Sequence, residues 1–560
     1  MEQTNIKSNF WSWTITKNNQ LIAKKYKPWT KRLVFLILFF ILIFALWFSA
    51  FGVNTFGFNV LWENIKNLFS PYSSSDLLNE NLWILSIKYL WITIKVTFLG
   101  TVLGLLIAIF TASISNNKSN SKYWSFFIKI LLTFFRAFPE WLYIYIFVNS
   151  FEKQLASVLL ISWFTWLWLH KFISETIENL DNTYWKKMLR QNQNKFFVFV
   201  RFIIPKISNN IIIYALYSFE TNMRWTAVFG YLGISGIGEL LNHGSNSIFN
   251  MHQLLIPLMF FVVFTVANEW ILYIITNKIK LSTKICNSDS VVKKKIYFIV
   301  KIFLWIIFFI FVIWLLVKIP NPEFRNTSNN ELFKPLFNPN WGVVSQNKNI
   351  FYILLELICL IYISIFFTIV FTYFNLLISN SKTNSKYWWV VTRILMTFIR
   401  VIPSLTLFYV FNIVFKNEVS GFIFIFAWHS SLVLTKQLNE NIQKIKTQSI
   451  ITLKRQSNSN WKIFNNYILP KIKIPFITLL FFEIEKHVRN FINYGFVGSS
   501  MLGYYMTHHE NSSFYDLTPY IWISMFIIIV INFVSIYART RLNSNKRTQI
   551  FWKKSYNFNY

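Results

Sequence analysis

Acid is what this chain has least of for its size. It carries 22 Asp and Glu against 55 Lys and Arg in 560 residues, a formal net charge of +33. Charged residues of both signs make up only 14% of it, too few for a soluble domain of this length. Cysteine is nearly missing: Cys286 sits in a basic stretch and Cys359 in an apolar run, so no disulfide framework follows. There is no GxxxxGK[ST] phosphate loop, which excludes P-loop binding of ATP. There is no HExxH pair, and the adjacent His508 and His509 read as surface residues, so no metal is expected. No paired acids stand inside an apolar run, as a proton relay would need. "GYLGISGIG" has dinucleotide-like glycine spacing but follows a membrane helix instead of a strand, so no cofactor is expected either.

What the chain does have is apolar length: 54% of its residues are hydrophobic and 20% aromatic. Apolar runs of about 20 residues recur, each long enough to cross a bilayer as a helix. Twelve spans are predicted, near 33–54, 82–112, 124–149, 155–173, 207–223, 252–277, 296–319, 352–379, 388–414, 419–435, 472–488 and 519–538. The basic residues fall in alternate connections: the leader 1–32, the segments 174–206 and 436–473, the linker 278–295 and the tail 539–560. Connections 55–81, 224–251, 320–351 and 489–518 have few cations. Cytoplasmic loops collect Lys and Arg, so both termini are expected inside, and the positive charge needs no nucleic-acid partner. The first run is too long for a signal-peptide core, so no cleavable signal is expected.

The chain also repeats itself. "NSKYWSFFIKILLTFFRAFP" (120–139) aligns without gaps to "NSKYWWVVTRILMTFIRVIP" (384–403), with 11 of 20 positions identical. Arg136 falls on Arg400 and Pro139 on Pro403. One residue of offset later, Glu175 falls on Glu440, Pro205 on Pro470, Glu220 on Glu485 and Arg224 on Arg489. Gly230, Gly233 and Gly238 fall on Gly495, Gly498 and Gly503, while Gly236 becomes Met501. The expected fold is therefore an all-α integral membrane protein of two parallel six-helix repeats, 33–277 and 296–538, related by a pseudo-two-fold axis with a pathway between them.

Each half carries a long basic segment ending in "FIIP" (202–205) or "YILP" (467–470). Together with "RAFPE" (136–140), "ETIENLD" (175–181) and "YSFETNMRWTAVFGYLGISGIG" (217–238), this resembles the phosphonate-type permeases of ATP-binding-cassette importers. The whole is similar to the large fused permeases of mycoplasma high-affinity import systems, which work with a lipoprotein and an ATPase. The resemblance implies a type I importer fold. It places ATPase-coupling loops around Glu175, Lys186, Lys187, Asn192 and Pro205, and around Glu440, Ser457 and Pro470. Asn192 and Ser457 stand where the family has its loop glycine, and Lys186 and Ile451 where it has glutamate. The implied partners are two ATPase subunits inside, a substrate-binding lipoprotein outside, and membrane lipids. The implied cargo is a phosphonate or other organophosphorus solute, with thiamine or thiamine phosphate as the alternative. A membrane-embedded enzyme or lipid-handling protein is the competing class.

Four arginines carry the remaining question. Arg136 and Arg400 each stand three residues before a mid-span proline, which frees a backbone carbonyl. A charge at a helix centre costs roughly 2.5–3.5 kcal/mol on insertion scales. They either attract an anionic cargo or cap carbonyls and lock helices. Glu220 with Arg224 and Glu485 with Arg489 are spaced to pair along one helix. Gly230, Gly233, Gly236, Gly238, Gly495, Gly498 and Gly503 are expected to make tight turns or close helix packing.

Overall fold

In a computed structural model the chain is described except at residues 1–10, 16–20, 27, 71–79, 117–119, 179, 181–194, 232–235, 247, 286–309, 318, 320–333, 347–348, 457–458, 508–513 and 557–560. Among the described residues one element departs from the all-α expectation. Strands β1 (Trp11–Ile15) and β2 (Leu21–Tyr26) form an antiparallel ribbon, with Trp11 opposite Tyr26 and Trp13 opposite Lys24. The alternation in "WSWTI" and its aromatic and β-branched content suit a strand.

The rest is helical. The main helices of the first half are α1 (Pro28–Phe48), α2 (Thr55–Leu68), α3 (Leu82–Ile114), α4 (Lys122–Ala137), α5 (Glu140–Ser150), α6 (Lys153–Glu178), α7 (Ile204–Tyr231), α8 (Ile237–Asn246) and α9 (Leu255–Ile285). The second half follows with α10 (Ile350–Ser379), α11 (Lys386–Val401), α12 (Ser404–Phe411), α13 (Glu418–Gln443), α14 (Thr447–Arg455), α15 (Leu469–Asn493), α16 (Met501–Thr507) and α17 (Phe514–Tyr556). Among the described residues six helices are long and apolar enough to cross a membrane, or eight if two bent pairs count as one span each. The expected count was twelve. The first run forms a short apolar helix, α7 and α15 fall outside that set, and the seventh run is described only over 310–317.

The third and ninth spans are not straight. α4 and α5 meet at 82°, and α11 and the helix after it at 89°. The cause is local. Phe138 (ψ 144°) and Ile402 (ψ 131°) precede Pro139 and Pro403 and are extended, because the proline ring excludes the helical conformation from its predecessor. The motif "NSKYW" in front of each bent pair also has a physical reading. Ser121 and Ser385 accept from the backbone N–H of Trp124 and Trp388 and so cap α4 and α11. Asn120 donates to the carbonyls of Ser113 and Ile114 at 3.0 and 2.8 Å, and Asn384 to those of Leu377 and Ile378 at 2.9 and 2.7 Å. One dipeptide thus closes the end of one helix and the start of the next.

The halves are packed through each other. α1 lies on α10, α9 on α11, and α17 on α4, while Val312 and Leu315 bury against Val96, Leu99 and Ile161 of the first half. The largest core joins Ala137, Leu142 and Val228 to Leu405, Phe422, Phe491 and Tyr494. The outer faces stay apolar: Phe35 and Phe40 on α1 and Phe533 on α17 are each about two-thirds exposed, as lipid-facing side chains are. Within the first half, α3 crosses α6 on Gly100 and Gly104. A Cβ at Gly104 would lie 2.5 Å from the Ser162 carbonyl oxygen, and one at Gly100 2.7 Å from Ile161 Cβ. Small residues four apart let helix backbones approach closely where lipid provides no hydrophobic drive. Gly104→Val is expected to cost roughly 1–3 kcal/mol by overpacking, read as a lower thermal unfolding midpoint in detergent. An unchanged midpoint would show that the crossing is looser than its geometry.

Candidate functional site

The site is built where the two proline bends face the ends of the fifth and eleventh spans. Each proline leaves carbonyls without an intrahelical donor. Tyr143 Oη donates to the Phe135 carbonyl at 2.6 Å. Arg489 Nη1 donates to the Arg136 carbonyl at 3.0 Å, reaching from α15 across to the first half. In the second half, His429 Nε2 lies 3.1 Å from the Arg400 carbonyl. The freed carbonyls are therefore served by Tyr143, Arg489 and His429, while Arg136 and Arg400 turn their guanidinium groups elsewhere.

Those two arginines end up differently. Arg400 is only 5% exposed. Its Nη2 contacts Glu269 Oε1 at 2.5 Å, and Lys436 Nζ reaches the same oxygen at 2.6 Å. Glu269 lies on α9, so one carboxylate from the first half ties α11 and α13 of the second. Such a charge-assisted group is strong once dehydrated. Arg136 is half-buried and makes no ion pair among the described residues. Glu269 went unnoticed in the sequence, yet a signal existed: it is the only acid in the apolar stretch 255–277.

Along α7, Glu220 and Arg224 pair at 2.7 Å. Along α15, Glu485 and Arg489 stand 3.5 Å apart, because Arg489 is drawn toward the Arg136 carbonyl. Arg489 is 6% exposed, and its Nε and Nη2 have no hydrogen-bond partner among the described residues, nor has Glu485 Oε1. Two residues past Glu220 and Glu485, the polar side chains are satisfied. Asn222 donates to Thr101 and Thr165 at 2.9 and 2.8 Å, and His487, 265 residues on, contacts Ser364 at 2.9 Å.

The glycines lie at the end of α7 and just beyond α15. A Cβ on Gly230 would sit 1.9 Å from the Gly238 carbonyl carbon, and one on Gly495 2.0 Å from that of Gly503. The backbone therefore folds back on itself, glycine against glycine, in both halves. Gly498 adopts φ +70°, a left-handed conformation that glycine takes without strain. Gly236 abuts Thr93, whose hydroxyl accepts from Ile237 N–H at 2.9 Å; at the matching place Glu356 accepts from Met501 N–H at 3.0 Å. Gly233 lies outside the described residues.

Of the coupling-loop candidates, Lys186, Lys187, Asn192 and Ser457 lie outside the described residues. Glu175, Glu440, Pro205 and Pro470 are exposed. Each of the two prolines follows a π-helical turn, Phe199–Ile203 or Phe464–Ile468, a wider turn that accommodates a residue without a donor. Between α13 and α15 the chain forms α14, which buries Ile450 against Leu438 and Ile463. Lys446 and Arg455 are exposed at its two ends. Lys382 Nζ holds Thr447 Oγ1 at 2.7 Å, and Lys454 Nζ holds the Thr383 carbonyl at 3.1 Å.

Breaking a buried ion pair from one side costs roughly 3–5 kcal/mol, because the partner charge is stranded. Arg400→Gln and Glu269→Gln should each lower the unfolding midpoint, with Glu269→Gln the harsher because it strands the buried Arg400, whereas Glu269 keeps Lys436 when Arg400 is removed. The double variant should lose less than the sum. Strict additivity in a double-mutant cycle would show that the two groups do not interact.

Residues 382–548 match the family model of the binding-protein-dependent transport system inner membrane component. The chain is 25% identical over 506 residues, 88% of this chain and 91% of the relative, to the ABC transport system permease protein p69 of Mycoplasma pneumoniae. It is 25% identical over 528 residues, 90% and 94% of the two chains, to the protein of that name from Mycoplasma genitalium. No solved structure matches.

Proposed function

We propose that this chain, a permease component of an ABC transporter, forms by itself the whole translocation pathway of an importer, its two halves replacing two separate subunits. The observation that carries this reading is α14. It is a short helix with exposed Lys446 and Arg455, docked on its own loop, within the region 382–548 that matches the permease family. An ATPase subunit gripping α14 would move α13 and α15, to which it is tied through Ile450. The segment 174–206 is its counterpart for a second ATPase subunit. A binding lipoprotein delivers the solute to the opposite face, and both termini lie in the cytoplasm. The cargo is a small phosphonate or related organophosphorus anion; the surplus of cations at the joint supports an anionic solute over the cationic ring of thiamine. Catalysis is assigned to the ATPase partner and not to this chain.

Two measurements test this. Lys446→Glu together with Arg455→Glu should abolish co-purification of the ATPase subunit while leaving membrane insertion and yield unchanged. Retained co-purification and retained uptake would remove α14 from the coupling role. Uptake of labelled solute into vesicles bearing the complete system should follow external methylphosphonate and not thiamine; the reverse preference would reassign the cargo.

A further inference from the structure

The two halves repeat the same cation pair and neutralise it differently. In the second half the pair is Arg400 and Lys436, and the Glu269 carboxylate holds both. The matching residues in the first half are Arg136, by the gapless motif, and Lys171, which lies 265 residues before Lys436 as Glu175 lies before Glu440. The element that brings the acid to the second half is α9, packed on α11; its counterpart on α4 is α17. From residue 517 to the end, that segment holds no acidic residue. It brings Arg539 instead. The Arg539 guanidinium lies over the Phe482 ring of α15 at 3.7 Å, and Lys171 Nζ faces the same ring at 5.9 Å. Arg136 and Arg539 both lie within electrostatic reach of Lys171.

Two carboxylates face this cluster, Glu175 from α6 and Glu485 from α15. Neither forms an ion pair with Arg136, Lys171 or Arg539 among the described residues, and Glu485 stands opposite Arg489. The nearby Arg489 is buried, its Nη2 3.5 Å from Glu485 Oε1 and its Nε without a hydrogen-bond partner among the described residues. Three cations from three elements thus converge where the other half needs one carboxylate to close two cations. Arg136, Lys171 and Arg539 are only partly buried, unlike Arg400.

We infer that Arg136, Lys171 and Arg539 form a binding site for the phosphate-type dianion of the transported solute, at the place where Glu269 supplies an internal carboxylate in the other half. This rests on the permease reading above and sharpens it, since one half of the pathway receives the anion and the other is sealed against it. A planar guanidinium beside an ammonium matches the oxygens of a tetrahedral oxyanion. A dianion satisfies three cations better than a carboxylate does. The headgroup of an anionic phospholipid offers the same chemistry with a single charge.

The test uses the intact permease with its ATPase partner in phosphatidylcholine nanodiscs, with methylphosphonate as probe and binding followed by calorimetry. One saturable site per chain is expected. Arg136→Gln and Lys171→Gln should each weaken it at least about tenfold, the range for a lost hydrogen bond to a charged group, while Lys436→Gln leaves affinity unchanged. Retained ATPase co-purification and an unchanged elution profile show that the variants are assembled; should Arg136→Gln fail that check, Arg136→Lys and Lys171→Gln carry the test. The site is overturned if the wild-type complex binds no methylphosphonate, if Arg136 and Lys171 variants bind normally, or if Lys436→Gln loses binding as severely. Displacement of the probe by phosphatidylglycerol in the nanodisc would assign the cluster to lipid and overturn the solute site. Loss of ATPase co-purification by the coupling variants is a separate readout, so either reading can fail alone.

Discussion

Every polar group this chain carries into apolar surroundings has to find its partner within the chain, because lipid offers none. The architecture follows from that constraint. Prolines at 139 and 403 bend two spans, and each bend leaves carbonyls to be served. Tyr143, Arg489 and His429 reach them from other helices. The Arg489 contact also crosses from one half to the other. Helix ends are closed the same way, by Asn120 with Ser121 and by Asn384 with Ser385.

The same constraint makes the two halves unequal. Duplication gives each half an arginine before a bend and a lysine on the next long helix. A buried cation pair of that kind is costly unless it is paired. Glu269 supplies the pairing in one half and thereby stitches α9 to α11 and α13. Beyond Asp516 in its first turn, α17 carries no acid to do the same in the other half. The result is a closed cation pair in one half and an open cation cluster in the other.

Much of this was legible in the residues. The repeat, the bends and the glycine folds follow from motifs such as "NSKYW", "RAFP" and "GISGIG", because caps, prolines and glycines act on the backbone within a few residues of themselves. Arg136 and Arg400 stood out for the same reason, as charges in apolar runs. Glu269 was overlooked although it is the only acid in the stretch 255–277, and nothing along the chain names the cations it pairs with. The β ribbon of the leader was also missed, as its short alternation lies among basic residues that read as a loop.

The sequence by itself determined that the chain is largely helical and apolar, where prolines bend two of its helices, and that one motif recurs along it. Those are local matters of backbone conformation and of apolar length. Only the tertiary structure decided which arginine is locked and which is open. That choice depends on a carboxylate 131 residues from Arg400 and on the lack of one in α17 beyond Asp516. Interactions across such separations are set by how helices pack, and no spacing along the chain encodes them.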